Sequence, residues 1–179
     1  MGGGTYMTTK TIEYYIDNNI HPSHRKTVQV YFDGLCQPCN PRGIACYAFL
    51  IKKEQNIIYS QCGLVAEPFS ANATNNVAEY SAITRALEWL LANNYEKENI
   101  AIKGDSQLVI NQVLGKFKVK AHRIIPLYHK VMSLISNFGN IQFEWIPREQ
   151  NKEADKLSNF AYTKAIAEER TAKQVRTEQ

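Results

Sequence analysis

The sequence predicts an α/β fold built on a five-stranded mixed sheet flanked by helices. Three β-rich runs joined by short links come first, which is typical of an antiparallel meander. Two further β-rich runs then alternate with segments whose apolar residues recur at helical spacing. Because a strand that follows a helical crossover lies parallel to its partner, we expect the last two strands to extend the sheet in parallel.

The first three strands follow from β-branched and aromatic runs that lie between turn signals. The first is predicted over 27–32 and ends at Asp33-Gly34, a dipeptide typical of turns. The second is predicted over 43–51 and the third over 56–65. The link between them is short enough to be a hairpin turn.

The helices and the last two strands follow from apolar periodicity and from the positions of Gly and Pro. A helix over 74–94 places Val77, Ile83 and Leu87 at helical spacing. The remaining elements are predicted, in chain order, as a strand over 99–103, a short helix over 106–114, a helix over 119–137 with a kink at Pro126, a strand over 141–146 and a final helix from 151 to about 169.

The length of 179 residues indicates one domain with short tails. Residues 1–26 are polar and without pattern, so we expect a flexible N-terminal extension. The domain is predicted over 27–168, and 169–179 are expected to fray. Since the sequence contains neither a long apolar run nor a secretory signal, we expect a cytoplasmic protein with no membrane partner. We also expect a monomer.

The charge balance permits a polyanionic partner without requiring one. Lys and Arg number 21 and Asp and Glu number 17, so the formal net charge is +4. The hydrophobic fraction is 44%, an ordinary value for a globular protein. A nucleic acid therefore remains open as a partner at this point.

Two of the four cysteines, Cys36 and Cys39, form a C-x-x-C pair. A zinc site would require a second such pair or a Cys/His pair at metal-ligand spacing, and the sequence has neither. We predict two loop thiols without a metal, with a local disulfide or redox pair as the alternative. Cys46 and Cys62 lie in apolar runs and are predicted to be buried.

Three of the four aspartates lie at boundaries of predicted elements. Asp33 follows the first strand, Asp105 follows the fourth, and Asp155 lies in the first turns of the last helix. Each residue alone has an ordinary explanation as a turn, a helix cap or a dipole-compensating charge. If the first and fourth strands are neighbours, however, Asp33 and Asp105 meet at the sheet edge where ligands bind in such folds.

Glu79 adds a fourth carboxylate in an unusual position. It shares a helix face with Ile83, Ala86 and Leu90, and a carboxylate among apolar side chains is costly unless it is paired or metal-bound. Several converging carboxylates cannot all stay ionised without cations between them. Oxygen-only ligands suit hard divalent ions, so the sequence predicts Mg²⁺ or Mn²⁺.

Four sequence blocks resemble the motifs of type 1 ribonuclease H, in particular the archaeal, Sulfolobus-like branch. The likeness covers about residues 27 to 165. Each block is weak alone, but four blocks in the family's order are specific. They are Tyr31-Phe32-Asp33-Gly34, Thr74-Asn75-Asn76-Val77-Ala78-Glu79, Lys103-Gly104-Asp105-Ser106-Gln107-Leu108-Val109 and Pro147-Arg148-Glu149-Gln150-Asn151-Lys152-Glu153-Ala154-Asp155.

This resemblance implies the ribonuclease H fold and a two-metal-ion active site. The implied activity is hydrolysis of the RNA strand of an RNA–DNA hybrid, leaving 5′-phosphate and 3′-hydroxyl ends. Asp33 would bridge both ions, Glu79 and Asp105 would complete one ion's site, and Asp155 would complete the other. The archaeal branch also implies cleavage of double-stranded RNA.

The resemblance further implies contacts with the nucleic acid. Asn75 and Asn76 match positions that contact it, including the RNA 2′-hydroxyl, which a side-chain amide can recognise. Thr74 matches a contact to DNA-strand phosphate, and Asn40 is a further candidate in a loop that aligns less firmly. The alternative for Asn75 and Asn76 is helix capping.

Two departures from the family pattern alter these expectations. The basic helix and loop of many members are missing after Gly115, and a group of basic residues offers either a substitute phosphate track or a solvated face. The loop before Asp155 has no histidine, so Arg148 is the candidate there, either catalytic or an ordinary loop arginine paired with Glu149. The basic group consists of Lys116, Lys118, Lys120 and Arg123.

The sequence fits three functional interpretations to different degrees. An active ribonuclease accounts for all four carboxylates, whereas a non-catalytic nucleic-acid-binding module gains nothing from four clustered negative charges beside phosphates. Another nuclease or strand-transfer enzyme on the same fold is disfavoured by the Asn75-Asn76-x-x-Glu79 block and by the compact length.

Overall fold

The computed structural model describes residues 27–177, so the predicted extension over 1–26 lies outside the described residues. The five strands form one sheet in the order β3-β2-β1-β4-β5, which confirms the predicted mixed sheet. The strands are β1 (Val28–Gln37), β2 (Ile44–Lys53), β3 (Asn56–Leu64), β4 (Asn99–Gly104) and β5 (Asn140–Trp145), and the helices are α1 (Asn75–Ala92), α2 (Gln107–Val113), α3 (Ile125–Ile135) and α4 (Lys152–Thr177).

The first strand is longer than predicted, because Asp33-Gly34 does not form a turn. Both residues pair with β2, Asp33 opposite Ala48 and Gly34 opposite Tyr47, and the strand continues to Gln37. A turn dipeptide is tolerated inside a strand when neighbouring strands supply the pairing. The glycine serves instead a close approach to α1, since a Cβ at Gly34 would lie 2.4 Å from the backbone nitrogen of Glu79.

The predicted neighbours are confirmed: β1 lies between β2 and β4, antiparallel to the first and parallel to the second. The β4 strand is in turn parallel to β5. Tyr31 is in register with Lys103, so two residues further along Asp33 and Asp105 come to the same level of the sheet. The strand order therefore places these two carboxylates side by side.

Helices cover both faces of the sheet. Alternate residues of β2 separate the two layers, because Phe49 and Ile51 belong to the cluster packed with α1, whereas Ile44 and Cys46 pack with Ala161 of α4. The main core is completed by α3, which packs against α1. Cys46 is buried as predicted, whereas Cys62 is half-buried.

Two helix boundaries differ from the predictions. The helix predicted over 119–137 is α3, Ile125–Ile135, and Pro126 lies in its first turn, where a missing N–H costs nothing, so it begins the helix and makes no kink. The last helix continues to Thr177, beyond the predicted end near residue 169.

The domain limits of 27–168 stay a prediction. None of the helices described between residues 27 and 177 has the length and apolarity required to cross a bilayer.

Candidate active site

All four predicted carboxylates line one cleft at the C-terminal ends of β1 and β4. Asp33 comes from β1, Glu79 from α1, Asp105 from the residue after β4, and Asp155 from the first turn of α4. Arg148 also lines the cleft. The structure therefore brings together every residue that the sequence predicted to be catalytic.

Asp33 is held from the α4 side of the sheet. The Ser158 hydroxyl of α4 donates a hydrogen bond to Oδ2 of Asp33. Burial raises the pKa of Asp33 to about 6, and the nearby charges of Asp105 and Asp155 add to that increase, whereas the Ser158 hydrogen bond opposes it. The charge on this side chain is thus costly in the absence of a cation.

Glu79 is the most deeply buried of the four carboxylates. Only 7% of the residue is exposed, and its Oε1 accepts a hydrogen bond of 2.8 Å from Nδ2 of Asn75. Its Oε2 is buried and has no hydrogen-bond partner. Burial first, and then repulsion from Asp33 and Asp105, raise the pKa of Glu79 to about 8.

Asp105 is fixed by both its side chain and its backbone. Nδ2 of Asn151 donates to Oδ1 of Asp105 at 2.8 Å. Nε1 of Trp145, at the end of β5, donates to the Asp105 backbone oxygen at 3.1 Å. Ser106 then caps α2 by accepting from the Val109 nitrogen, so the chain turns sharply away from the cleft after the carboxylate.

Asp155 forms an ion pair with the loop arginine. Nη2 of Arg148 lies 2.5 Å from Oδ1 of Asp155, and the arginine side chain is 74% exposed. The hydrogen bond to Asp155 is the main reason that the pKa of Arg148 is raised. The alternative of an Arg148–Glu149 pair is therefore not what the structure shows.

These carboxylates fit divalent cations. Across the residues that the structure describes, no three acidic, His or Cys side chains are arranged as a ready-made metal site. Three of the four carboxylates are each held by a hydrogen-bond donor, which is Ser158 for Asp33, Asn151 for Asp105 and Arg148 for Asp155. The unpartnered Oε2 of Glu79 and the raised pKa values of Asp33 and Glu79 are the features that a cation would relieve.

The predicted substrate-contacting residues divide between two clefts. Asn75 lies in the carboxylate cleft, whereas a neighbouring cleft is lined by a second group of predicted residues. Arg123 is anchored in that neighbouring cleft, because its Nη1 donates to the Ala71 backbone oxygen. The second group consists of Asn40, Thr74, Asn76 and Arg123.

Two of these side chains hold the start of α1. Thr74 accepts a hydrogen bond of 3.1 Å from the Val77 nitrogen and so caps the helix. Oδ1 of Asn40 accepts a hydrogen bond of 3.1 Å from the Asn75 nitrogen. Capping was the predicted alternative for Asn75 and Asn76, but the side chain that caps α1 is that of Thr74.

The three predicted lysines stand apart from both clefts. Lys116, Lys118 and Lys120 have exposed side chains on the segment between α2 and α3. They are not among the described residues that line either cleft. Their role in substrate binding stays a prediction.

The C-x-x-C pair lies at the rim of the carboxylate cleft. Cys36 is at the end of β1, lines the cleft, and donates through Sγ to the Cys39 oxygen at 3.1 Å. Both thiols are free in the structure. Contrary to the prediction, Cys36 belongs to a strand and is buried.

Sequence reasoning missed two residues that hold the carboxylates, Asn151 and Ser158. Both are buried polar residues in or just before α4. Asn151 lies within the fourth sequence block, but a single sequence does not reveal which way its side chain points. The available signal was the position of each residue, four before and three after Asp155, which places them within one turn of it.

The strand order, the helices on both faces and the carboxylate cluster define the ribonuclease H-like class of α/β domain. A family model described as "Reverse transcriptase-like" matches residues 32–161. Ribonuclease HI of Halobacterium salinarum is 31% identical over 144 residues, which cover 79% of this chain and 67% of that protein. The chain belongs to the type 1 ribonuclease H family.

Two further relatives agree with this assignment. The bifunctional protein Rv2228c of Mycobacterium tuberculosis is 40% identical over 89 residues, or 50% of this chain, and the match spans only 24% of that longer protein. The structure of its N-terminal RNase H domain has a TM-score of 0.70 at 28% identity, and the match covers 80% of this chain and 98% of that one. The structure of LC11-RNase H1 in complex with RNA/DNA hybrid has a TM-score of 0.69 at 32% identity, covering 78% and 99% respectively.

Proposed function

We propose that this protein is an endoribonuclease that hydrolyses the RNA strand of RNA–DNA hybrids. The observation that carries the proposal is the convergence of Asp33, Glu79, Asp105 and Asp155 in one cleft. A related enzyme of the same fold, LC11-RNase H1, is known in complex with an RNA/DNA hybrid. The products would carry 5′-phosphate and 3′-hydroxyl ends, and the enzyme would act as a cytoplasmic monomer.

The four carboxylates would hold two divalent ions, Mg²⁺ with Mn²⁺ as a substitute. Asp33 would be a ligand common to both sites, Glu79 and Asp105 would complete one site, and Asp155 would complete the other. Bound there, the ions supply activation of the attacking water and charge stabilisation at the leaving 3′-oxygen. The chain itself fixes the ligands: Ser158, Asn75 and Asn151 each hold an oxygen of one carboxylate.

Arg148 would supply positive charge at the cleft, and it is the cationic side chain among the described residues that line it. Its side chain is largely exposed and pairs with Asp155, so it can reach a phosphate oxygen without crossing the protein interior. A guanidinium keeps its proton at every working pH, so its role is to stabilise negative charge or assist product release.

The second cleft would bind the backbone of the substrate. Thr74 and Arg123 present a hydroxyl and a guanidinium there, which suit phosphate oxygens, and Asn76 presents an amide. Asn75, which lines the carboxylate cleft, would recognise a 2′-hydroxyl. Because a 2′-hydroxyl is present in both RNA–DNA hybrids and double-stranded RNA, we propose double-stranded RNA as a second substrate.

A cleavage assay tests this proposal. Labelled RNA–DNA hybrid, double-stranded RNA and double-stranded DNA are each incubated with Mg²⁺, Mn²⁺ or EDTA. We expect cleavage of the RNA strand of the hybrid with either ion and none with EDTA. Intact hybrid under every condition would overturn the proposed function. Intact double-stranded RNA would contradict only the proposal of a second substrate.

Two carboxylate variants test the assignment of the site. Asp33→Asn and Asp105→Asn should nearly abolish hybrid cleavage, because each removes a charged metal ligand. Hybrid binding should stay intact or tighten, since less negative charge faces the phosphates. In gel-shift and cleavage assays run side by side, a variant that keeps most of its Mg²⁺-dependent activity would exclude that residue from the metal site.

A further inference from the structure

We propose that Asn151 is a positioning residue that sets the distances among the carboxylates of the cleft. Its side chain is buried, with 1% of the residue exposed, and it lies where β1, the end of β4 and the start of α4 meet. This inference rests on the proposed function, because it concerns the metal ligands of the same site.

One side-chain amide connects three parts of the chain. Nδ2 of Asn151 donates to the Phe32 backbone oxygen at 2.9 Å and to Oδ1 of Asp105 at 2.8 Å. Phe32 directly precedes Asp33. The two N–H groups of the amide therefore fix Asp105 relative to the strand that carries Asp33. Both partners are acceptors, which sets the orientation of the amide.

The backbone of the same residue holds the backbone of Asp155, the third carboxylate residue. Asn151 directly precedes α4, and its carbonyl accepts a hydrogen bond of 3.0 Å from the Asp155 nitrogen. Hydrogen bonds thus connect Asn151 to Asp105, to Asp155 and to the residue that precedes Asp33. Glu79 is positioned separately, by Asn75 and by its place on α1.

The orientation of the Asn151 side chain is unusual for a residue at the start of a helix. Asparagine there ordinarily accepts a hydrogen bond from a backbone N–H of the first turn, which contributes about 1 kcal/mol to stability. Oδ1 of Asn151 is instead buried without a partner. The side chain therefore does not cap α4. Both of its N–H groups donate instead to Phe32 and Asp105 at the carboxylate site.

Substitutions by other residues that favour a helix start separate these two roles. Ser and Thr are good residues for a helix start, but their hydroxyl is too short and has too few hydrogens to reach both acceptors. Asn151→Ser and Asn151→Thr therefore keep the local helix signal and remove the connection. Asn140→Ser is the matched control, because Asn140 also donates through Nδ2, to Asn99, but at an exposed site at the start of β5.

The measurement is the affinity of the metal-free, full-length protein for Mn²⁺ alone, by calorimetric titration. Removing a hydrogen-bond partner of a metal ligand typically weakens metal binding about 10- to 100-fold. We expect a loss of about tenfold or more in Asn151→Ser and Asn151→Thr, and no change in Asn140→Ser. In hybrid cleavage, kcat should fall at low Mg²⁺ and recover at high Mg²⁺, with the KM for hybrid unchanged.

Two results would overturn the inference. One is a Mn²⁺ affinity at the wild-type value in the folded Asn151 variants. The other is failure of both variants to fold even in the cold, since Asn151 would then serve the fold and not the site. Wild-type protein that binds Mn²⁺ but leaves hybrid intact would instead contradict the proposed function and leave the role of Asn151 standing.

Discussion

At the scale of the residue, burial disfavours the ionised form of the cleft carboxylates, and hydrogen-bond donors beside them partly offset this effect. The sequence identified the four carboxylates because each lies at an element boundary or on an apolar helix face and matches a family block. It did not identify Ser158 or Asn151 as their partners. Those roles depend on side chains that point across the sheet between segments far apart in the chain, and no local pattern encodes that direction.

The raised pKa of Glu79 predicts a pH-dependent stability for the metal-free protein. A carboxyl whose pKa is 4.5 when unfolded and about 8 when folded keeps its proton in the folded state between those values. The unfolded state binds fewer protons there, so the free energy of unfolding falls as the pH rises from about 5 to about 8. Thermal melts in EDTA across this range should show the decrease.

Glu79→Gln should remove most of this pH dependence, because glutamine does not titrate. Glu67→Gln, at an exposed position, is the control and should leave the dependence as in the wild type. Saturating Mg²⁺ should also flatten the wild-type profile, since a cation favours the ionised carboxylates. A Glu79→Gln variant with the wild-type pH profile would contradict the assigned cause.

Arg148 allows a second prediction at this scale. Arg148→Ala should raise the barrier to hybrid cleavage by about 1–3 kcal/mol, as for other charge-stabilising donors. Arg148→Lys should recover part of the rate, and Arg148→His should recover it only near or below about pH 6.5, where the imidazole is charged. The measurement is kcat on hybrid across pH 6 to 9, with the exposed Arg170→Ala as the control. Parent rates in all three variants would mean that Arg148 has no catalytic role.

At the scale of the element, local signals were overridden where neighbouring chain segments supplied stronger interactions. Asp33-Gly34 has the composition of a turn, yet β2 pairs with both residues and β1 continues through them. A proline inside a predicted helix is typical of a kink, yet Pro126 occupies the first turn of α3. The order and type of the elements were predictable from periodicity, whereas these details depended on tertiary pairing.

The contact between β1 and α1 is close enough to be tested with one methyl group. In Gly34→Ala the new Cβ would lie 2.4 Å from the Glu79 nitrogen and 2.8 Å from the Ala78 carbonyl carbon, so the helix must shift. We expect a loss of about 1–3 kcal/mol in the free energy of unfolding, typical of overpacking. Denaturant titration measures it, and weaker Mn²⁺ binding should accompany it.

Gly139→Ala is the matched control, because the nearest atom to its new Cβ, the Glu96 oxygen, would be 3.8 Å away. Its free energy of unfolding should stay within about 0.5 kcal/mol of the wild type. If Gly34→Ala were as stable as this control, the approach of α1 to β1 would be looser than the structure shows.

At the scale of the whole molecule, charges of opposite sign occupy separate parts of the surface. Acidic side chains fill the cleft, and the segment between α2 and α3 carries exposed lysines. The sequence predicted this basic segment but left open whether it contacts phosphate, because exposure and charge alone do not distinguish a solvated surface from a binding surface.

The salt dependence of hybrid binding distinguishes them. If the basic segment contacts phosphate, replacing Lys116, Lys118 or Lys120 by Ala should reduce the slope of log affinity against log salt by about one unit each. Lys164→Ala, on α4, is the control and should leave the slope unchanged, since Lys164 is close to Glu168 on the same helix. Unchanged slopes in all three lysine variants would mean that the basic segment is a solvated surface that does not contact phosphate.

The four carboxylates meet in one cleft but are held by helices from both layers of the fold, and this has an energetic consequence. Glu79 belongs to the layer of α1, whereas Asp33 is held by Ser158 from the layer of α4. Opening of either layer would break contacts to a ligand that joins these side chains, so a bound ligand opposes the opening of both layers. Its binding free energy is therefore added to the free energy of unfolding of the domain, and it couples the two helical layers of the fold.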